Sequence, residues 1–386
     1  MSYNQRRFLI LVIIVSISGF SQGMLLPLIS VIFEGDGVSS TLNGLNATGL
    51  YIGTLLISPF IEQPLRKYGY KPIIVVGGAI VFLSLFLFPF WKSVMFWFVL
   101  RMLIGIGDHA LHFSTQTWIT STTPTHKLGR SMSIYGMSFG LGFAAGPLFV
   151  PLVKISESLP FIVSSVLCLV AWSLVFFVKN EKPEALVGDA NETGFTRYKL
   201  AIKYGWVAFL PPFVYGFLES SLNALFPVYA LRKEFDLEFV SIILAAFSIG
   251  AITMQFPLGA LGDKIGRRKV IIAGLVGGSI LFFIGNLVES SQILVALIFL
   301  IAGMSVGSMF SLGITYMTDL TPKELLPTGN LLCGIFFSLG SLSGPFLGGL
   351  YLQKFPQDGF LILVSSMLLA VGGIVVLFGK RAKVTV

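Results

Sequence analysis

Arg101, Asp108 and His112 stand in one apolar run, and with Gly105 they follow the i, i+4, i+7, i+11 rhythm that lines up one face of a helix. Asp108 and His112 are one turn apart, close enough to share a proton, whereas Arg101 and Asp108 are separated by roughly 10 Å along the axis. A second carboxylate, Glu219, falls near the middle of another apolar run, as Asp108 does in its own. An ionisable side chain inside such a run is held there by a partner or by a task. The chemistry that fits is uptake and release of a proton at Asp108 or Glu219, with Arg101 as the charge that drives release and His112 as a relay. Two plainer readings compete: a permanent ion pair of Arg101 with Asp108 or Glu219, and a His112 that only ties neighbouring helices. Gln22, Asn46, Gln116, Asn223 and Gln255, with Tyr215, lie at comparable positions and are candidates to orient a substrate; helix packing is the alternative for each.

The elements that must position these groups are membrane helices. Of the 386 residues, 55% are apolar and 11% charged, and the mean hydropathy is +0.87, against about a quarter charged in a soluble domain. Apolar runs of about twenty residues, each able to cross roughly 30 Å of hydrocarbon, recur twelve times. The first is Phe8 to Phe33, too long for a signal-peptide core and read as retained; the fourth is Ser93 to Thr120 and the seventh Tyr204 to Leu231. The longest polar break, 179–203, is read as a cytoplasmic linker between an N-terminal six-helix bundle (1–178) and a C-terminal one (204–386). Cys168 and Cys333 lie inside apolar runs as small hydrophobes, and neither a metal site nor a cofactor is expected.

The net charge of +8 does not point to nucleic acid, because its placement follows the membrane. Twenty Lys and Arg fall in the amino terminus, the even-numbered connections and the carboxyl tail, and five (Lys92, Lys154, Arg232, Lys233, Lys354) on the other side. With Arg101 they account for all 26. This asymmetry places both termini in the cytoplasm of a multi-pass cell-membrane protein.

The two halves repeat. Gly53 pairs with Gly250 and Gly69 with Gly266 at an offset of 197; Gly105 with Gly303, Pro124 with Pro322, and Gly146-Pro147 with Gly344-Pro345 at 198. Six helices is an even number, so the second copy enters from the same side as the first. The segment from Gly259 through Asp263 and Gly266 to Arg267-Arg268 resembles the G-x-L-x-D-R-x-G-R-R loop of major facilitator transporters. In the first half Arg66 stands where the acid belongs, while Gly69 and Lys71 are kept. Arg101 to Gly107 is similar to the family's R-x-x-x-G-x-G pattern, whose arginine is associated with proton coupling. Gly142, Gly146 and Pro147 resemble the core of a motif of drug/proton antiporters, without its outer glycines, and the fuller ending appears at Gly340, Gly344 and Pro345.

The resemblance implies an all-α fold of twelve transmembrane helices in two pseudo-symmetric six-helix bundles, and a transporter, not an enzyme, acting as a monomer by alternating access. The leading expectation is proton-coupled efflux of apolar or cationic small molecules, the partners being substrate, proton and lipid bilayer. The nearer rival is transport of a polar metabolite such as a sugar or organic anion. A membrane-embedded enzyme or sensor is the remote alternative, with Asp108, His109 and His112 as the only catalytic-looking set.

Overall fold

The computed structural model describes residues 3–123, 125–182, 194–322, 325–356 and 359–379. The repeat anchor Pro124, residues 183–193 of the expected linker and the basic residues Lys323, Lys380, Arg381 and Lys383 lie outside them.

The helices of the first half are α1 (Tyr3–Gly35), α2 (Ser40–Ile57), α3 (Glu62–Tyr68), α4 (Tyr70–Leu87), α5 (Val94–Thr122), α6 (Thr125–Ala145) and α7 (Leu159–Ser173). Those of the second are α8 (Gly194–Gly205), α9 (Leu210–Arg232), α10 (Leu237–Ile265), α11 (Arg267–Leu287), α12 (Gln292–Val306), α13 (Met309–Leu320), α14 (Leu326–Lys354) and α15 (Phe360–Phe378). Helix α8 occupies part of the segment expected to be a plain linker. Contacts divide the chain into two units, Met1–Leu186 and Val187–Val386.

Local chemistry sets several boundaries. Ser39 caps α2 by accepting from the Leu42 amide at 3.3 Å, and Ser291 caps α12 by accepting from Leu294 at 3.4 Å. Gly69 separates α3 from α4 with φ of 93°, and its repeat Gly266 separates α10 from α11 with φ of 96°, a left-handed region that side chains with a Cβ disfavour. After Ala145 the chain tightens into a 3₁₀ segment, Gly146–Lys154, as Pro147 removes a backbone donor. Pro345 at the repeated position stays within α14.

Ten helical segments among the described residues are long and apolar enough to cross a membrane, and the bent pair α2–α3, at 59°, makes an eleventh. The remaining expected span is α9. At 23 residues it is long enough, about 35 Å, but Pro211, Pro212, Glu219, Ser220, Ser221, Asn223 and Pro227 keep it out of the apolar class. Most of its residues are buried, so its polarity faces protein.

The two units pack alike. α1 lies on α6, α2 on α5 and α4 on both α5 and α7; in the second unit α9 lies on α14, α10 on α12 and α11 on both α12 and α15. Glycines set the closest approaches. A Cβ on Gly105 would strike the Leu50 carbonyl and one on Gly303 the Phe247 carbonyl; one on Gly142 would strike Ser16 and one on Gly340 would strike Phe213. The struck residues are themselves 197 apart, so the duplication is visible at the level of single carbonyl groups. Gly259 behaves differently from the expectation for its motif: a Cβ there meets open space, so no helix leans on it.

Candidate functional site

In the first unit α1 crosses α5 so that Ser18 meets both Asp108 and His112. Ser18 Oγ donates to Asp108 Oδ1 at 2.7 Å and lies 3.0 Å from His112 Nε2. The other imidazole nitrogen, Nδ1, is 2.9 Å from the Tyr135 hydroxyl on α6, which is 3.4 Å from Thr115 Oγ1. Gln22, one turn beyond Ser18, stands beside the same carboxylate. Asp108 is buried, and its Oδ2 has no hydrogen-bond partner. A small cavity with about 20 Å³ open to a water centre adjoins it, lined among others by Ser18, Asp108, Cys168 and Trp172. That is room for about one water. His109 turns away to Ser58 at the C-terminal end of α2, 3.1 Å from its Nε2.

Arg101 does not take the place of counter-ion. It is fully buried, its Nη2 donates to the Leu25 carbonyl at 3.4 Å, and its Nε and Nη1 have no hydrogen-bond partner. No ion pair joins it to Asp108 among the described residues. The competing reading of a permanent Asp108–Arg101 pair is therefore not realised, because the two turns between them exceed the reach of their side chains on a continuous helix.

In the second unit the Tyr215 hydroxyl donates to Glu219 Oε1 at 3.4 Å. Tyr215 and Glu219 are 197 residues after Ser18 and Gln22, so each unit carries a hydroxyl and a carboxyl-or-amide pair at the same two positions of its first long helix. Asn223 Nδ2 donates to the Glu219 carbonyl at 2.8 Å, leaving its buried Oδ1 without a partner.

The other candidates scatter. Asn46 Nδ2 donates to the Val94 carbonyl at 2.7 Å, tying α2 to the start of α5 as packing. Gln116 and Gln255 are exposed on α5 and α10 and join neither cluster. Sequence reasoning missed Ser18 and Tyr135. The offset of 197 from Tyr215 would have found the first; nothing in the sequence distinguishes the second.

Around the basic loop, Asp263 pairs with Arg267 at 3.0 Å, and Arg267 also binds Asp319 and donates to the Thr315 carbonyl at 2.9 Å. Arg268 donates to the carbonyls of Val375 at 3.3 Å and Val376 at 2.6 Å. In the first unit Lys71, at the position of Arg268, reaches the Val178 carbonyl at 2.8 Å, the repeat of Val375. With the acid replaced, Arg66 pairs instead with Glu62 at 2.6 Å. Glu181 fastens this end by accepting from Arg7 at 2.5 Å and from Trp118 Nε1 at 2.8 Å. No group of three or more His, Cys, Asp or Glu among the described residues could hold a metal ion.

Comparison with known proteins places these features in a wider set. The family model of the Major Facilitator Superfamily matches residues 11–245 and 208–385. The MFS-type transporter YfkF of Bacillus subtilis (strain 168) is 58% identical over 365 residues, covering 94% of this chain and 93% of that one. Multidrug resistance protein 2 of the same organism is 23% identical, covering 96% and 95%. Among solved structures, a D-xylose-proton symporter superposes with a TM-score of 0.80 at 12% identity, covering 99% of each chain, a likeness of fold.

Proposed function

Starting from the premise that this chain belongs to the major facilitator superfamily and is a multi-pass transporter of the cell membrane, we propose that it exports apolar or cationic small molecules in exchange for protons by alternating access. In this reading Asp108 takes up and releases the coupling proton, Glu219 is the corresponding acid of the second unit, and both termini are cytoplasmic. The observation that carries it is Asp108: a buried carboxylate with one oxygen held by Ser18, the other without a partner, and no cation paired to it. A carboxylate so placed is costly as a fixed charge and serviceable as a proton site. Efflux is supported by similarity to a multidrug resistance protein and by the scarcity of buried cations that an anionic cargo would gather.

Transport of a polar metabolite is the second reading, favoured by the unpartnered amide oxygen of Asn223 beside Glu219. One assay separates them. Purified protein in proteoliposomes is given an imposed pH gradient and a panel of dyes, cationic drugs, sugars and amino acids. Gradient-dependent movement of ethidium or another lipophilic cation is expected, with loss of the gradient dependence in Asp108→Asn and Glu219→Gln. Movement of sugars alone would replace the cargo, and full gradient-driven transport in both variants would remove the proton from the mechanism.

A further inference from the structure

We infer that Tyr135, His112 and Ser18 form a directional proton wire that ends on Asp108, with Ser18 as the link that makes the delivery. The inference rests on the coupling role proposed for Asp108. Its own ground is that the three bonds from Tyr135 to Asp108 all point the same way. An ionised carboxylate only accepts, so the Ser18 hydroxyl hydrogen is committed to Oδ1, 2.7 Å away. Having used its one hydrogen, Ser18 can only accept from His112, so Nε2, at 3.0 Å, carries the N–H. A neutral imidazole has a single N–H, so Nδ1 is an acceptor, and the Tyr135 phenol at 2.9 Å is its donor. Thr115 Oγ1 and the His112 carbonyl are the other acceptors within reach of the phenol, each at 3.4 Å, and Nδ1 at 2.9 Å is the nearer and stronger one.

Proton entry at Tyr135 then moves one bond at each link. The phenol O–H breaks as a proton forms Nδ1–H, while the entering proton restores the phenol. The Nε2–H breaks as its proton forms a new Ser18 O–H. The original Ser18 O–H breaks, and its proton becomes Oδ1–H of a neutral Asp108. Every link ends with the hydrogens it began with, and Asp108 gains the one that entered. His112 is left as the Nδ1–H tautomer, and release of the proton along the same path restores Nε2–H.

No titratable side chain around the carboxylate adds a second branch to the hydrogen-bonded path. On α1, Gln22 stands beside the carboxylate but does not titrate. From α4 the cavity receives Gly78 and Val81. On α5, His109 is hydrogen-bonded to Ser58 at the C-terminal end of α2, and Arg101 to the Leu25 carbonyl. From α7 the Cys168 thiol faces the cavity by Asp108. None of these is hydrogen-bonded to His112 or Tyr135.

The test needs no substrate. Full-length protein in detergent is subjected to a rapid drop in pH, and protonation of Asp108 is followed by its carboxyl infrared band, identified as the band lost in Asp108→Asn. Ser18→Ala and Tyr135→Phe are each expected to slow appearance of the band about a hundredfold, and Ser18→Thr, which keeps the hydroxyl, to restore most of the rate. Thermal unfolding checks that each variant is folded; should Ser18→Ala fail to fold, Tyr135→Phe carries the comparison. A wild-type rate in folded Ser18→Ala or Tyr135→Phe overturns the wire while leaving Asp108 as the coupling acid. Absence of any titrating band that disappears in Asp108→Asn overturns both.

Discussion

Lys92 and Glu289 stand 197 positions apart and hold the same place in their respective units with opposite charge. Lys92 binds Asp36 at 2.8 Å, Glu289 binds Lys233 at 2.6 Å, and Asp36 and Lys233 are themselves 197 apart. The duplication has kept the pairing and reversed its sign. Complementarity is therefore what these connections require, not a cation at a given residue. Each pair has further partners, Glu157 at 2.8 Å from Lys92, and Tyr229, which donates to Glu289.

Half-exposed pairs of this kind contribute about 0.2–1 kcal/mol each. Lys233→Glu or Glu289→Lys alone is expected to lower the thermal midpoint of the purified protein by a shift of that order, and the double reversal to recover most of it. The pH dependence follows from Lys92. Burial pulls its ammonium down, but the hydrogen bonds and charges of Asp36 and Glu157 outweigh this and hold it above the ordinary 10.5. A cation whose value is raised by folding stabilises below the unfolded value and loses that contribution as pH rises through the folded one. The midpoint difference between wild type and Lys92→Gln should thus be present up to about pH 10.5 and vanish at more alkaline pH. A difference that grew with alkalinity would contradict the assignment.

Arg101 is expected to separate stability from function. Its guanidinium is fully buried with two nitrogens unpartnered, an arrangement that folding alone would not favour. Replacing a poorly compensated buried charge with an apolar side chain of similar volume is neutral to stabilising by about 1–4 kcal/mol. Arg101→Met is expected to unfold no earlier than wild type while losing gradient-driven transport in proteoliposomes. Arg101→Lys should not restore it, because an ammonium lacks the planar fork that reaches past the Leu25 carbonyl. A destabilised Arg101→Met with normal transport would make the residue a structural one.

How much of this was legible beforehand depends on period and distance. The helices were readable because apolar runs of membrane length are bounded by charge, and α9 was still found although Glu219, Asn223 and three prolines make it too polar for a composition test. The repeat was readable because Gly105 and Gly303 answer to backbone contact, which tolerates no side chain. Asp108 and His112 could be placed together because one turn of helix fixes their separation. Ser18 is marked in the sequence only by its offset of 197 from Tyr215, which does not say which helix it will touch, and Tyr135 arrives from α6 for reasons of tertiary packing. Gly259 shows the reverse failure. Its motif suggests close helix contact, while its surroundings are open.

That contrast gives a prediction in which one substitution has opposite signs at two kinds of site. At Gly105 an added methyl meets the Leu50 carbonyl and at Gly303 the Phe247 carbonyl, in both cases rigid backbone of the helix packed alongside. The helices must separate to admit it, and overpacking of this kind costs about 1–3 kcal/mol. At Gly259 the methyl meets nothing, and exchange of glycine for alanine inside a helix is worth about 0.5–1 kcal/mol of stability. Gly105→Ala and Gly303→Ala should each lower the thermal midpoint in detergent, by similar amounts because their contacts are repeats, and Gly259→Ala should raise it. Purified variants compared side by side decide the matter. If Gly259→Ala kept or raised stability but reduced transport, the glycine would serve a packing arrangement visited during the cycle, and the open space around it in this structure would mark one stage of that cycle.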